Sequence, residues 1–184
     1  MIIRVEPAEI EAAKTNPQVL AQIFERFWEP ILNYLLKRTA DAATAKDLTQ
    51  ETFIKAFTHL KTFKPNNEYS FAVWLYRIAV NEANQRFRFL KRKRELPIED
   101  EKLKESLDAE IKDAEKEFEQ HEDFLKIHAH LKRLNKNYQT VVTLYYFEDM
   151  TLEMIAQVLH KNSNTIRTWH SRALKKLRLF LSET

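Results

Sequence analysis

Along most of this chain, apolar residues return every three or four positions. Val19, Ile23, Phe27, Ile31, Tyr34 and Leu35 form a first stripe, which Pro30 is expected to bend or restart. Thr39-Ala40-Asp41 marks an interruption, and Asp41 is placed to cap a helix carrying Leu48, Thr52, Ala56, Phe57 and Leu60 on its core side. After the polar loop Lys64-Pro65-Asn66-Asn67, Ser70 is placed to cap a third helix with Phe71, Trp74, Leu75, Ile78 and Ala79 inward, running on to Arg94. The stripe then lapses from Glu95 to about Gln120, with Pro97 at the boundary. It resumes after Phe124 through Leu125, His128, Leu131, Tyr138, Val141, Val142, Leu144 and Tyr145.

The last part of the chain carries the sharpest pattern. Thr151 is a good N-cap for a short helix, Leu152 to Leu159, with Ile155, Ala156 and Leu159 inward. The polar cluster His160-Lys161-Asn162-Ser163-Asn164 separates it from a longer basic helix. Short helix, tight turn, longer basic helix is the helix-turn-helix arrangement. On the second helix Ile166, Trp169, Ala173, Leu177 and Leu181 are expected on the buried side. Asn164, Thr165, Arg167, Thr168, Ser171, Arg172 and Lys175 then face away, and His170 turns inward.

Composition narrows the choice of fold. None of the 184 residues is glycine, which excludes glycine-rich phosphate loops and disfavours hairpin-rich sheets. The expected class is all-α: two small helical modules, residues 1–94 and 121–184, joined by an acidic linker at 95–120, with the helix-turn-helix in the second module. The absence of cysteine removes disulfides, thiolate metal sites and a cysteine nucleophile. No window approaches the ~18 apolar residues of a membrane span, and the N-terminus has no signal-peptide pattern. A cytoplasmic protein without membrane insertion is expected.

A net charge of +3 conceals segregation. Arg86, Arg88, Lys91, Arg92, Lys93 and Arg94 crowd one stretch, the linker is acidic, and the C-terminal end is basic again. Between Leu159 and Leu181 there is no acidic residue, whereas an ordinary soluble helix interleaves Glu with its Lys and Arg. Amides, hydroxyls and cations on one helical face are the groups that meet base edges and phosphates in a major groove.

The first module carries two further candidate surfaces. Asp47, Gln50, Glu51 and Ile54 recur at offsets of three, four and seven, an acidic and amide stripe containing one aliphatic. Periodicity alone leaves open a docking surface for a basic partner, a plain solvent face, and a weak carboxylate pair for a metal. In the loop and helix that follow, Lys64, Asn66, Asn67, Tyr69, Arg77, Asn81, Asn84, Gln85 and Arg88 mix cations, amides and an aromatic, a combination suited to unstacked single-stranded nucleic acid. Phe71, Trp74 and Ile78 belong to the core stripe instead.

KDLTQETFIKAF, FAVWLYRIAVNEANQRFR, an acidic linker, and LNKNYQTVVTLYYFEDMTLEMIAQVL followed by NTIRTWHSRALKKLR together resemble the bacterial sigma-70 family. The size and layout are similar to its small extracytoplasmic-function (ECF) subgroup, from about Ile23 to Leu181. The resemblance implies no catalytic residue, metal or cofactor. Its implied partners are core RNA polymerase and promoter DNA, and it admits an anti-sigma factor. It implies polymerase docking by the Asp47, Gln50, Glu51 stripe, recognition and melting of the −10 element by Lys64 to Tyr69 with Asn81 and Asn84, and −35 reading by the C-terminal helix. The sequence departs from the family pattern at Lys46, Asn135, Met154, His160 and His170. His160 stands where the turn usually has glycine, so His160 or Asn162 is expected in a left-handed conformation. The competing readings are a free-standing helix-turn-helix regulator using only the second module, and a metal-dependent nuclease using Asp47 and Glu51.

Overall fold

The computed structural model describes residues 2–39, 41–95 and 129–182; the acidic linker beyond Glu95, and the expected stripe positions Leu125 and His128, lie outside them. Among the described residues every regular element is helical: α1 (Pro7–Ala13), α2 (Pro17–Thr39), α3 (Ala42–His59), a 3-10 turn at Leu60–Thr62, α4 (Ser70–Glu95), α5 (Lys136–Tyr146), α6 (Leu152–Leu159) and α7 (Ser163–Ser182).

Side chains set most helix starts. Asn16 accepts a bond from the Gln18 amide at 2.9 Å, and Pro17 opens α2 where its missing N–H costs nothing. Asp41 caps α3 by accepting from the amides of Ala43 and Thr44, each at 3.1 Å. Asn135 does the same for α5 and Thr151 for α6. Ser70 departs from expectation, because it is the first helical residue of α4. Its hydroxyl donates to the Asn67 carbonyl at 2.6 Å and accepts from the Asn66 amide, so it pins the preceding loop.

Pro30 does not restart the chain. α2 continues through it as one helix, with Ile23 and Phe27 before it and Ile31, Tyr34 and Leu35 after it all buried on one side. At about 1.5–3 kcal/mol for each large apolar side chain buried, that shared face outweighs the roughly 3 kcal/mol that an interior proline costs. Phe27 meets Phe71 edge-on at 5.3 Å and Tyr34 meets Tyr76 at 5.6 Å, which fixes α2 against α4. The short helix α1, which periodicity did not single out, adds Ile10 and Ala13 to this core.

The two groups of helices do not stand apart. α2 packs on α5 and α4 on α6. Val141, Leu144, Met150, Ile155, Ala156, Val158 and Ile166 join the same apolar cluster as the first module's interior. Polar contacts line this seam. Arg38 donates to Gln139 at 2.6 Å, and the Tyr76 hydroxyl donates to Glu148, whose other oxygen lies 3.6 Å from the Lys37 ammonium. A smaller cluster of Leu131, Leu134, Val142 and Ala173 closes the far side of the helix-turn-helix.

Candidate nucleic-acid interface

The turn between α6 and α7 is built without glycine. His160 takes the left-handed conformation, φ 49° and ψ 48°. The next amide, Lys161, reaches back to the Ala156 carbonyl at 2.9 Å and closes the end of α6. Asn162 then accepts from the Thr165 amide at 2.7 Å and starts α7. Ala156 and Ile166 are buried between the two helices.

This turn sets the outward face of α7. Asn164, Arg167, Thr168, Ser171, Arg172 and Lys175 are exposed, and Thr165 is half-buried. The Thr168 hydroxyl donates to the Asn164 carbonyl at 2.9 Å, which leaves its oxygen as an outward acceptor. Ile166 and Ala173 are buried and Trp169 and Leu177 partly so, as expected. Leu181 is not buried: it is 62% exposed, because the last turn of α7 runs past the elements that would cover it. His170 does turn inward, against Tyr145 at 4.6 Å and Tyr146 at 5.7 Å. Burial holds its pKa below the ordinary value, and its Nε2 has no partner.

In the first module the expected stripe is a continuous outer face of α3. Asp47, Gln50, Glu51 and Ile54 are all exposed, Ile54 at 64%. Phe57, expected in the core, is also 64% exposed, because Phe53 and Ala56 take the inward positions of that turn. The apolar part of the stripe is therefore a pair, Ile54 and Phe57, one turn apart. Spacing held the signal, since 47, 50, 54 and 57 step by three and four. Among the described residues, no three or more of His, Cys, Asp and Glu gather as metal ligands.

The loop ahead of α4 is held by the chain's own N-terminal segment. The Val5 amide donates to the Glu68 carbonyl at 2.8 Å, and the Arg4 guanidinium lies 5.3 Å from the centre of the Tyr69 ring. Lys64, Asn66 and Asn67 are exposed, and Tyr69 is half-buried. Asn67 spends its side-chain oxygen on the Tyr69 amide at 2.9 Å. On α4, Asn81, Gln85 and Arg88 are exposed and Asn84 half-buried, along one side of the helix. Arg77 is drawn away from this set. Its guanidinium donates to the Gln157 carbonyl at 2.9 Å, capping the negative end of α6 from across the seam.

Two family profiles match the chain, Sigma-70 region 2 over residues 23–93 and Sigma-70, region 4 over residues 124–177. Among curated relatives, the RNA polymerase sigma factor SigV of Bacillus subtilis is 32% identical over 139 residues, 76% of either chain. The sigma factor YlaC of the same organism is 28% identical over 166 residues, 86% of this chain and 90% of that one. The fold resembles CnrH, solved with the cytosolic domain of CnrY, with a TM-score of 0.70, 20% identity and 95% of each chain covered. It also resembles RpoE of Bartonella quintana, solved with the anti-sigma factor NepR, with a TM-score of 0.66 and 20% identity over 89% of this chain and 96% of that one. The chain belongs to the sigma-70 family, in its ECF subgroup. Because the match spans both modules, the protein is a sigma factor serving promoter-specific transcription by RNA polymerase, and the free-standing regulator reading falls away.

Proposed function

We propose that three surfaces of this chain divide the work of a sigma factor. Asp47, Gln50, Glu51 and Ile54, extended by Phe57, dock on core RNA polymerase. Lys64, Asn66, Asn67 and Tyr69, with Asn81, Asn84, Gln85 and Arg88 on α4, take the −10 element as its strands separate, and Arg77 joins them once freed from Gln157. Asn164, Thr165, Arg167, Thr168, Ser171, Arg172 and Lys175 read the −35 element in duplex DNA. In this reading the chain carries no catalytic group and acts in the cytoplasm. An anti-sigma factor, the class of partner named for the structural neighbour RpoE, is a further candidate ligand.

The observation that carries this reading is the contrast between two exposed helix faces. α3 presents carboxylates and an amide beside Ile54 and Phe57, chemistry for a protein. From Asn164 to Lys175 the exposed side chains of α7 are all amides, hydroxyls and cations, chemistry for a nucleic acid. The test is co-elution with the core RNA polymerase of the host, comparing wild type with the Asp47→Ala/Glu51→Ala double variant, followed by run-off transcription. Retention of the wild type and loss of the variant is expected. Failure of the wild type to bind core polymerase would remove the docking assignment.

A further inference from the structure

α7 contains no acidic residue. The fold nevertheless places one carboxylate against its reading face. Glu153, in the first turn of α6, accepts from Arg167 Nη2 at 2.8 Å, while Arg167 Nη1 lies 3.4 Å from the Asn164 side-chain oxygen. Thr151 caps α6 immediately before it, so the carboxylate sits at the positive end of a short, well-formed helix. The Glu153 and Arg167 side chains are 55% and 56% exposed, which leaves the pair almost no role in holding the fold together. Its consequence lies in what it does to the guanidinium.

A guanidinium near the start of a recognition helix has two rival acceptors on duplex DNA. The O6 and N7 edge of guanine offers paired neutral acceptors and carries sequence information. The phosphates offer full negative charge and carry none. Of the five N–H donors of Arg167, Glu153 engages one on the α6 side and the Asn164 side-chain oxygen a second. It also supplies a local negative charge that offsets the pull of the backbone. The other three donors stay available to a base edge.

We propose that Glu153 is a positioning residue for Arg167: it keeps the guanidinium on base edges and away from phosphates, lowering overall DNA affinity while raising selectivity at one position of the −35 element. This rests on the reading of α7 as the −35 helix.

The test uses holoenzyme assembled with core polymerase. A promoter is first selected by the wild type from a library randomised through the −35 element. Every single-base-pair change in the selected element is then scored for wild type, Glu153→Gln, Glu153→Ala, Arg167→Ala and the Glu153→Ala/Arg167→Ala double variant. Arg167→Ala should relax discrimination at one position by about tenfold. Glu153→Ala should relax that same position several-fold and bind unselected duplex more tightly at low salt. Glu153→Gln, which keeps an acceptor but not the charge, should fall between. The double variant should match Arg167→Ala at that position, and the melting temperature should not move.

Relaxation at a different position, or a full additional loss in the double variant, would show Glu153 reading a base itself and overturn the proposal. An unchanged preference in Glu153→Ala would overturn it as well. If Arg167→Ala alters no position, the assignment of α7 fails first and the proposal goes with it. The two failures are therefore distinguishable.

Discussion

Arg38 donates across the seam between the two modules to Gln139 at 2.6 Å, and among the described residues no carboxylate pairs with it there. The Nε and Nη2 atoms of this guanidinium are buried without a hydrogen-bond partner, and its carbon lies 5.5 Å from the centre of the Phe87 ring. Burial pushes its pKa down. A buried cation served by one neutral acceptor is costly, and Gln139 is what makes it tolerable.

Gln139→Ala should therefore loosen the seam by about 1.5–3 kcal/mol, the scale of a hydrogen bond to a charged group. Arg38→Leu should do the reverse and hold the modules together more firmly, because an apolar side chain avoids the desolvation. Energy transfer between dyes on α3 and α7 reports both. If Arg38→Leu opens the seam as Gln139→Ala does, the guanidinium is a net tie and this assignment is wrong.

Glu148 gives the seam a pH dependence. Its side chain is 6% exposed, and burial raises its pKa above the ordinary value of 4.5. The Tyr76 hydroxyl and the Lys37 ammonium pull it back without cancelling the shift, and Asp149 adds to the rise. The packed form thus holds this proton more tightly than the unfolded chain does. Its contribution is fully present below the unfolded value and is lost as pH rises through the raised one. His170 works in the opposite direction: its pKa is depressed below 6.5, so the stability it contributes is present above 6.5 and lost as pH falls. Urea titrations across pH should show both slopes. Glu148→Gln should flatten the first and His170→Phe the second.

Ile54 and Phe57 separate docking from folding. Both are largely exposed, so Ile54→Ala and Phe57→Ala should change stability by no more than about 0.5 kcal/mol. Each should weaken binding to core polymerase by about 1–2 kcal/mol, as for residues near the centre of an interface. A large loss of melting temperature in either variant would return that residue to the core.

The glycine-free turn predicts a gain of stability by substitution. His160 holds φ at 49°, a conformation that costs a residue with a Cβ about 1–2 kcal/mol, so His160→Gly should raise stability by about 1 kcal/mol after the entropy of the freer unfolded chain is counted. Asn162→Ala should lower it by about 1 kcal/mol through loss of the α7 cap. Chemical denaturation of the two variants is sufficient to check both signs.

Much of this fold was legible in the sequence because helical periodicity and capping act locally. Asp41 and Thr151 sit beside the amides they cap, and the outward face of α7 follows from Ile166 and Ala173 alone. What escaped depended on neighbours remote in the chain. Phe57 and Leu181 fall on apolar stripes, yet among the described residues no element covers them. Pro30 stays inside α2 because buried residues flank it on one side. Arg77 turns to Gln157 and Glu153 meets Arg167 only once the helices are placed, and neither pairing leaves a trace in local spacing.

The seam also sets a length problem. With α4 against α6, the helix assigned to the −10 element and the helix assigned to the −35 element belong to one body, whose radius of gyration should be about 16 Å for a chain of this length. Two DNA sites whose names differ by 25 positions lie on the order of 80 Å apart at ~3.4 Å per base pair. The packed protein is too short a ruler for that span, whereas residues 96–128, fully extended at about 3.5 Å each, reach on the order of 100 Å. On the proposed assignment of α4 and α7, measuring a promoter requires the seam between the modules to part, and the solvent that meets Arg38 when it does so makes the opening easier.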